Sequence, residues 1–128
     1  MPTHATILIV QDDAGVREAL VEILCPHGYR VLTAATVQEA EEARRQVTPR
    51  DMDVVIANIY LTADPEAREG YALWQRWTAR DPHPRFILMS GDTSSRDLPA
   101  IRAGAVRRLT KPFSPAEVLD TVRDPLGR

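Results

Sequence analysis

The chain has 128 residues, 44% hydrophobic and 27% charged, with a net charge of −2. This is the make-up of one ordinary globular domain: too apolar for a disordered chain and too balanced in charge for a nucleic-acid binder, with no apolar run near the ~20 residues of a membrane span. The opening MPTHATILIVQDD lacks the basic start and cleavage site of a secretory signal, and the single cysteine, Cys25, leaves no internal disulfide. A reducing, cytoplasmic setting is therefore expected, with Cys25 as a small buried hydrophobe at a helix end.

The elements alternate along the chain. Residues 6–10 (TILIV) are an apolar, β-branched run of the kind buried on both faces of a parallel sheet, stopped by Gln11, Asp12 and Asp13. From Ala14 the period becomes helical, with Val16, Leu20, Ile23 and Leu24 on one face, and Pro26 and Gly28 close that helix. Residues 29–33 read as a second strand. Thr36 with Glu39 then reads as a capped helix start, and Val37, Ala40, Ala43, Arg44 and Val47 mark one helical face. Residues 54–57 (VVIA) form a third strand, the most apolar. A loop containing Asp64 leads to a helix with Leu73, Trp74 and Trp77, and Pro82 and Pro84 break the chain. Residues 86–89 (FILM) form a fourth strand that ends at Ser90 and Gly91. A short helix over residues 96–103 ends at Gly104, a C-terminal cap, and residues 106–109 make a weak fifth strand. Ser114-Pro115 with Glu117 opens a last helix that reaches about Arg123.

Five strands alternating with five helices predict an α/β fold with a doubly wound parallel sheet covered on both faces. The chain is too short for a closed eight-stranded barrel. Ligand sites in such open sheets lie at the carboxyl ends of the strands. Those ends carry Gln11, Asp12 and Asp13 after the first strand, Asn58 after the third, Ser90 after the fourth, and Lys111 with Pro112 after the fifth. Carboxylates, amides, a hydroxyl and an ammonium in one crevice suit a hard cation and an oxyanion. Lys111 would neutralise phosphate charge, Ser90 would donate to an anionic oxygen, and Asp12 would ligate magnesium.

The order and spacing of ILIVQDD, VVIANI, ILMSG, Gly104-Ala105 and TKPFSPAEVL resemble the receiver domain of two-component response regulators, the CheY-like superfamily. The resemblance covers nearly the whole chain and implies a single receiver-like domain over residues 1–128. It implies a flavodoxin-like sheet of strand order 2-1-3-4-5 with five flanking helices. In that family an acidic pair binds magnesium, an aspartate after the third strand accepts a phosphoryl group from a histidine kinase, and a Ser or Thr and a Lys read it. Position by position, Gln11 and Asp12 fall on the acidic pair and Asp13 where a third acid is common. Asn58 falls on the acceptor, Ser90 on the hydroxyl and Lys111 on the lysine. The partners implied are a histidine kinase or another signalling protein, with self-association through the fourth helix and fifth strand as a further possibility, and neither nucleic acid nor membrane.

Several positions depart from that pattern. Asn58 replaces the acceptor aspartate, and a neutral carboxamide oxygen is a far poorer nucleophile than a carboxylate. It is nearly isosteric, so the fold is expected to be unaffected. Gln11 removes a second charge, leaving as carboxylates near the site Asp12, and Asp13 if it faces the metal, so Mg2+ is expected to bind weakly and no other cofactor is implied. Arg108 stands at the switch position, usually aromatic, three residues before Lys111. The loop from Asn58 to Gly70 is about four residues longer than usual in the family, and Leu61-Thr62 replaces its Met-Pro. The expectation is a pseudo-receiver, not an enzyme, that takes part in phosphorelay signal transduction through protein–protein interaction. The alternative is a working phosphoacceptor that uses a nearby carboxylate: Asp12, Asp13 or Asp64.

Simpler roles compete at several positions. Asp12 and Asp13 also suit the N-terminus of the first helix. Asp53, at the start of the third strand, is expected to be structural. Trp74 and Trp77 are expected to pack in the core, with a partner-binding face as the alternative. Arg96, Arg102, Arg107 and Arg108 place positive charge around the fourth helix and fifth strand. His4, His27 and His83 have no metal-ligand spacing. A nucleotide-binding or catalytic domain of the same topology is disfavoured, because no G-x-G-x-x-G, no P-loop and no Ser-His-Asp or Cys-His set is visible.

Overall fold

The computed structural model describes residues 5–47, 51–61, 68–80, 83–91 and 107–123. Five strands, β1 (Thr6–Val10), β2 (Arg30–Ala34), β3 (Val54–Asn58), β4 (Arg85–Ser90) and β5 (Arg107–Thr110), form one parallel sheet. Their order is β2-β1-β3-β4-β5: the sheet is doubly wound, as the alternation of elements predicts, and its order is the one that the family resemblance implies. Four α-helices lie among the described residues: α1 (Ala14–Leu24), α2 (Val37–Gln46), α3 (Glu69–Trp77) and a C-terminal helix (Pro115–Arg123). The helix expected over residues 96–103, its Gly104 cap and the loop residue Asp64 lie outside the described residues.

The three central strands explain the sheet. Every residue of β1 and β3 is buried, as is all of β4 after Arg85. Side chains alternate across a strand, so each strand feeds two cores. On one face Leu8, Val10, Val55, Ala57, Phe86 and Leu88 pack with Ala40 of α2 and with Leu73 and Trp77 of α3. On the other face Ile7, Ile9, Val54, Ile56, Ile87 and Met89 pack with Leu20 and Leu24 of α1 and with Val118 and Val122 of the C-terminal helix. Each fully buried aliphatic side chain contributes ~1.5–3 kcal/mol relative to exposure.

Local chemistry sets the helix ends. Asp13 caps α1: its Oδ1 accepts from the N–H of Gly15 at 2.8 Å and of Val16 at 3.2 Å. Thr36 Oγ1 accepts from the Glu39 N–H at 3.1 Å, while Glu39 Oε1 reaches one residue further back, to the Ala35 N–H at 2.8 Å. Ser114 and Glu117 form the reciprocal box, with Glu117 N donating to Ser114 Oγ at 3.1 Å and Ser114 N to Glu117 Oε1 at 2.8 Å. After α1 the chain makes a 3-10 turn, Cys25–His27, and leaves through Gly28 at φ 88°, a left-handed conformation suited to glycine.

Cys25 corrects one expectation: it is exposed, not buried. Leu20 and Leu24 occupy the inward face of α1. The next residue is turned about 100° round the helix, towards solvent. Trp77 follows the core reading, 5% exposed and edge-on to Phe86 at 6.0 Å. Its Nε1 donates to Glu41 Oε2 at 3.3 Å, and the Arg44 guanidinium lies 4.6 Å above its ring, which ties α3 to α2. Trp74 is half-buried against Tyr71.

Candidate functional site

Strand register brings the predicted positions to one edge of the sheet. Val10 pairs with Ala57, so the residues that follow them, Gln11 and Asn58, stand side by side. The Gln11 N–H still joins the sheet, donating to Ala34 O at 2.9 Å. Asn58 pairs with Met89, one residue before Ser90, the last residue of β4. Ser90 pairs with Thr110, and the Lys111 N–H donates to Ser90 O at 2.9 Å. Gln11, Asn58, Ser90 and Lys111 therefore cap four adjacent strands. The Lys111–Pro112 peptide is cis.

The polar side chains here are deeply placed. Gln11 is fully buried, Ser90 is 1% exposed and Asn58 is 7% exposed. Asn58 Nδ2 donates to Tyr60 O at 2.6 Å, and it lies 3.4 Å from both Gln11 Oε1 and Asp12 Oδ1. All three neighbours are oxygens, so the nitrogen and not the oxygen of the carboxamide must face them. One N–H takes the short bond to Tyr60, and the other is shared between the two longer contacts.

Gln11 links this centre to α1. Its Oε1 also accepts from the Asp13 N–H at 3.1 Å, and its main-chain carbonyl accepts from Arg17 Nη1 at 2.8 Å. Gln11 Nε2 is buried and has no hydrogen-bond partner among the described residues. Asp12 is exposed and reaches Asn58, whereas Asp13 Oδ1 is committed to the cap of α1. Lys111 is half-buried, with its stem passing Gly91: a Cβ added there would lie 4.0 Å from Lys111 Cβ and Cε. Arg108 is half-buried on β5, in register with Leu88. Asp53 sits at the far end of β3 and takes no part here.

Three participants carried no signal in sequence reasoning. Arg17 looked like an ordinary helix residue, and the Tyr60 carbonyl is a backbone group. Gly70 is the third. A Cβ at Gly70 would fall 1.8 Å from Asn58 O, because the first turn of α3 lies directly on the backbone of Asn58 and Ile59. The Gly70 N–H also donates to Ile59 O at 2.9 Å. Only the lack of a side chain permits that approach.

A groove of about 570 Å³ opens beside this centre, between Val16 and Ala19 of α1 and the turn through Pro112 and Phe113. Its walls are chiefly apolar, and Asp13 and Lys111 also line it. Among the described residues no cluster of three or more His, Cys, Asp or Glu side chains is placed to hold a metal. Nor is any helix among them long and apolar enough to cross a membrane.

An open 2-1-3-4-5 sheet with its polar residues at the carboxyl ends of β1, β3, β4 and β5 defines a class of α/β signalling and ligand-binding domains. Within that class the chain belongs to the response regulator receiver domain family, which it matches over residues 7–123. It is 33% identical to a probable transcriptional regulator, ycf27, of Guillardia theta, over 100% of this chain and 48% of that protein. It is also 33% identical to the sensor kinase CckA of Brucella abortus, over 97% of this chain but 13% of the kinase. The chain thus spans half or less of these relatives. Among solved structures, a putative response regulator from Chloroflexus aurantiacus superposes with a TM-score of 0.79 at 28% identity, covering 98% of this chain and 100% of that one. The chemotaxis response regulator CheY4 of Vibrio cholerae superposes at 0.77 with 25% identity, over 96% and 99% of the two chains.

Proposed function

We propose that this receiver domain signals without accepting a phosphoryl group at the end of β3, and that it acts in a two-component pathway as a cytoplasmic protein-interaction module with no enzymatic activity of its own. One observation carries the reading: the residue at the acceptor position is a neutral carboxamide whose nitrogen is held against three oxygens. Phosphoryl transfer needs an anionic oxygen aimed at phosphorus, and the Asn58 side chain carries no such charge. Its partner is a histidine kinase or another signalling protein. Ser90 and Lys111 remain at the strand ends as relics of an oxyanion site, and Arg108 holds the switch position without an aromatic ring to rotate.

A second reading is favoured by one contact. Asp12 is exposed, and its Oδ1 is the carboxylate oxygen next to Asn58, at 3.4 Å. If a phosphoryl group is accepted at all, Asp12 is the better recipient than Asp13, whose carboxylate is engaged in the cap.

The test is intact-mass measurement after incubation with Mg2+ and a small-molecule phosphodonor, with Asn58→Asp and the double variant Gln11→Asp/Asn58→Asp as controls. The wild type is expected to gain nothing while at least one control gains a phosphoryl group. A phosphorylated wild type overturns the reading, and fragmentation that placed the group on Asp12 would establish the second one.

A further inference from the structure

The family's acidic pair implies a divalent cation, and the residues of this chain do not fit one. Three oxygens of different kinds converge on a single point: the Gln11 amide oxygen, an Asp12 carboxylate oxygen and the Tyr60 main-chain carbonyl. Carboxylate plus neutral carbonyl oxygens is the donor set of a hard cation. Here the point at their focus is Asn58 Nδ2, the positive end of an amide dipole. We infer that the Asn58 NH2 group takes the seat of the divalent cation, so that the pocket is closed by an internal donor and the domain is indifferent to Mg2+.

Three further features agree. A cation the size of Mg2+ requires oxygens at about 2.0–2.1 Å. The longer contacts at 3.4 Å would have to contract by more than an ångström while the amide was expelled. Among the described residues the formal charge of the set is too small, because Asp12 is its one carboxylate and Gln11 and Asn58 are both neutral. The neighbouring groups are also cationic or donating: Arg17 Nη1 rests 2.8 Å from the main-chain oxygen of Gln11, and Gln11 Nε2 is a second buried donor with no acceptor among the described residues. A metal ion held by Gln11 would thus sit on a residue whose main chain already carries a guanidinium, with Asp12 as the single anion of the set.

This inference deepens the functional reading and relies on it for the identity of the pocket, but the two can fail separately. Phosphorylation on Asp12 would sink that reading. Cation binding by the wild type would sink this one. The experiment is titration of the wild type, Asn58→Asp and Asn58→Ala with Mg2+, followed by the backbone and side-chain amide signals of residues 11–13 and 58–60 in 15N spectra. Mn2+ relaxation enhancement gives a second readout. The wild type is expected to show no saturable shift up to ~10 mM, a range that covers weak protein sites. Its Asn58 NH2 pair is expected to stay resolved and slow to exchange with solvent.

Asn58→Asp removes the resident donor and adds the missing charge, so it is expected to bind at least about tenfold more tightly, since ligand charge tunes such sites. Asn58→Ala empties the seat without adding charge and guards against misfolding of the aspartate variant. A saturable response of the wild type at Gln11 and Asp12 overturns the inference. So does the absence of any response in both variants, because the amide would then not be what keeps the ion out.

Discussion

The two ends of β3 carry the same carbon skeleton in opposite electrical roles. The carboxylate of Asp53, just before the strand, meets a donor: its Oδ2 accepts from the Thr6 N–H at 2.8 Å. Its backbone N–H donates to Thr6 O at 2.9 Å, and its carbonyl accepts from the Arg85 N–H at 3.0 Å. Asn58, at the other end, is surrounded by oxygens. A carboxylate can only accept hydrogen bonds, whereas a carboxamide can also donate two. Each residue type matches its surroundings, so exchanging acid for amide at either end should hurt most where the oxygens crowd. The carboxyl end of the sheet is therefore adapted to asparagine.

The sharpest way to break the carboxyl end is through its neighbour. Gly70→Ala drives a methyl group into the Asn58 carbonyl and is expected to cost about 3 kcal/mol or more in urea unfolding, because backbone must move on both sides. Next in size is Asn58→Asp, expected to lose about 2 kcal/mol in the presence of a chelator: the Tyr60 carbonyl loses its donor and two carboxylates come close. If the variant proves as stable as the wild type, the contrast between the two ends fails. At the amino end, Asp53→Ala leaves the buried Thr6 N–H without an acceptor and should cost about 1–2 kcal/mol. Asp53→Asn keeps an oxygen for that N–H and should cost less than about 1 kcal/mol, readable as a small shift of the same unfolding midpoint.

The smallest effect belongs to a pair remote from both ends. Arg45, by hydrogen bond and by charge, holds the Glu42 carboxyl below the usual range. A carboxyl whose pKa is lowered on folding contributes above its unfolded pKa, and the contribution is lost as pH falls through the folded value. Both side chains are exposed, at 68% and 58%, so solvent screening should leave Glu42→Gln with an unchanged melting temperature at neutral pH.

The apolar pattern made the fold legible. Continuous apolar runs such as TILIV and VVIA suit strands buried on both faces, and their alternation with helices points to a parallel sheet; the caps at Thr36 and Ser114 were visible as short spacings. Strand ends deviated by a residue or so: β2 runs from Arg30 rather than Tyr29, and β5 ends at Thr110 rather than Leu109. These shifts reflect hydrogen-bond register, which composition does not encode. Cys25 was misjudged because one residue of helical rotation separates a buried position from an exposed one.

In the strand-end row, Gln11, Asn58 and Ser90 were readable because each directly follows or ends an apolar run, whereas Lys111, after the weak RRLT strand, was placed by the Lys-Pro pair that follows that strand. The commitment of Asp13 to the cap was one of two readings that the sequence left open. The contribution of Tyr60 was invisible, since a main-chain carbonyl is present at every position and only the turn after β3 aims this one at Asn58. Arg17 was equally unreadable, because nothing in its spacing signals that the side chain bends back to the carbonyl of Gln11. The near-isosteric view of Asn58 treated shape alone. The structure adds that the direction of its hydrogen bonds matters as much.

The Ile59 N–H, the main-chain amide next to Asn58, donates to Met89 O at 2.9 Å. Asparagine ages by attack of the following backbone nitrogen on its own side-chain carbonyl, which expels ammonia and leaves a cyclic imide that water opens to aspartate or isoaspartate. Here that nitrogen is locked into the sheet and belongs to a buried, β-branched residue. The chemical clock that would slowly turn Asn58 into an acid is thereby stopped, and a sample stored warm for weeks should keep its carboxamide mass at this position.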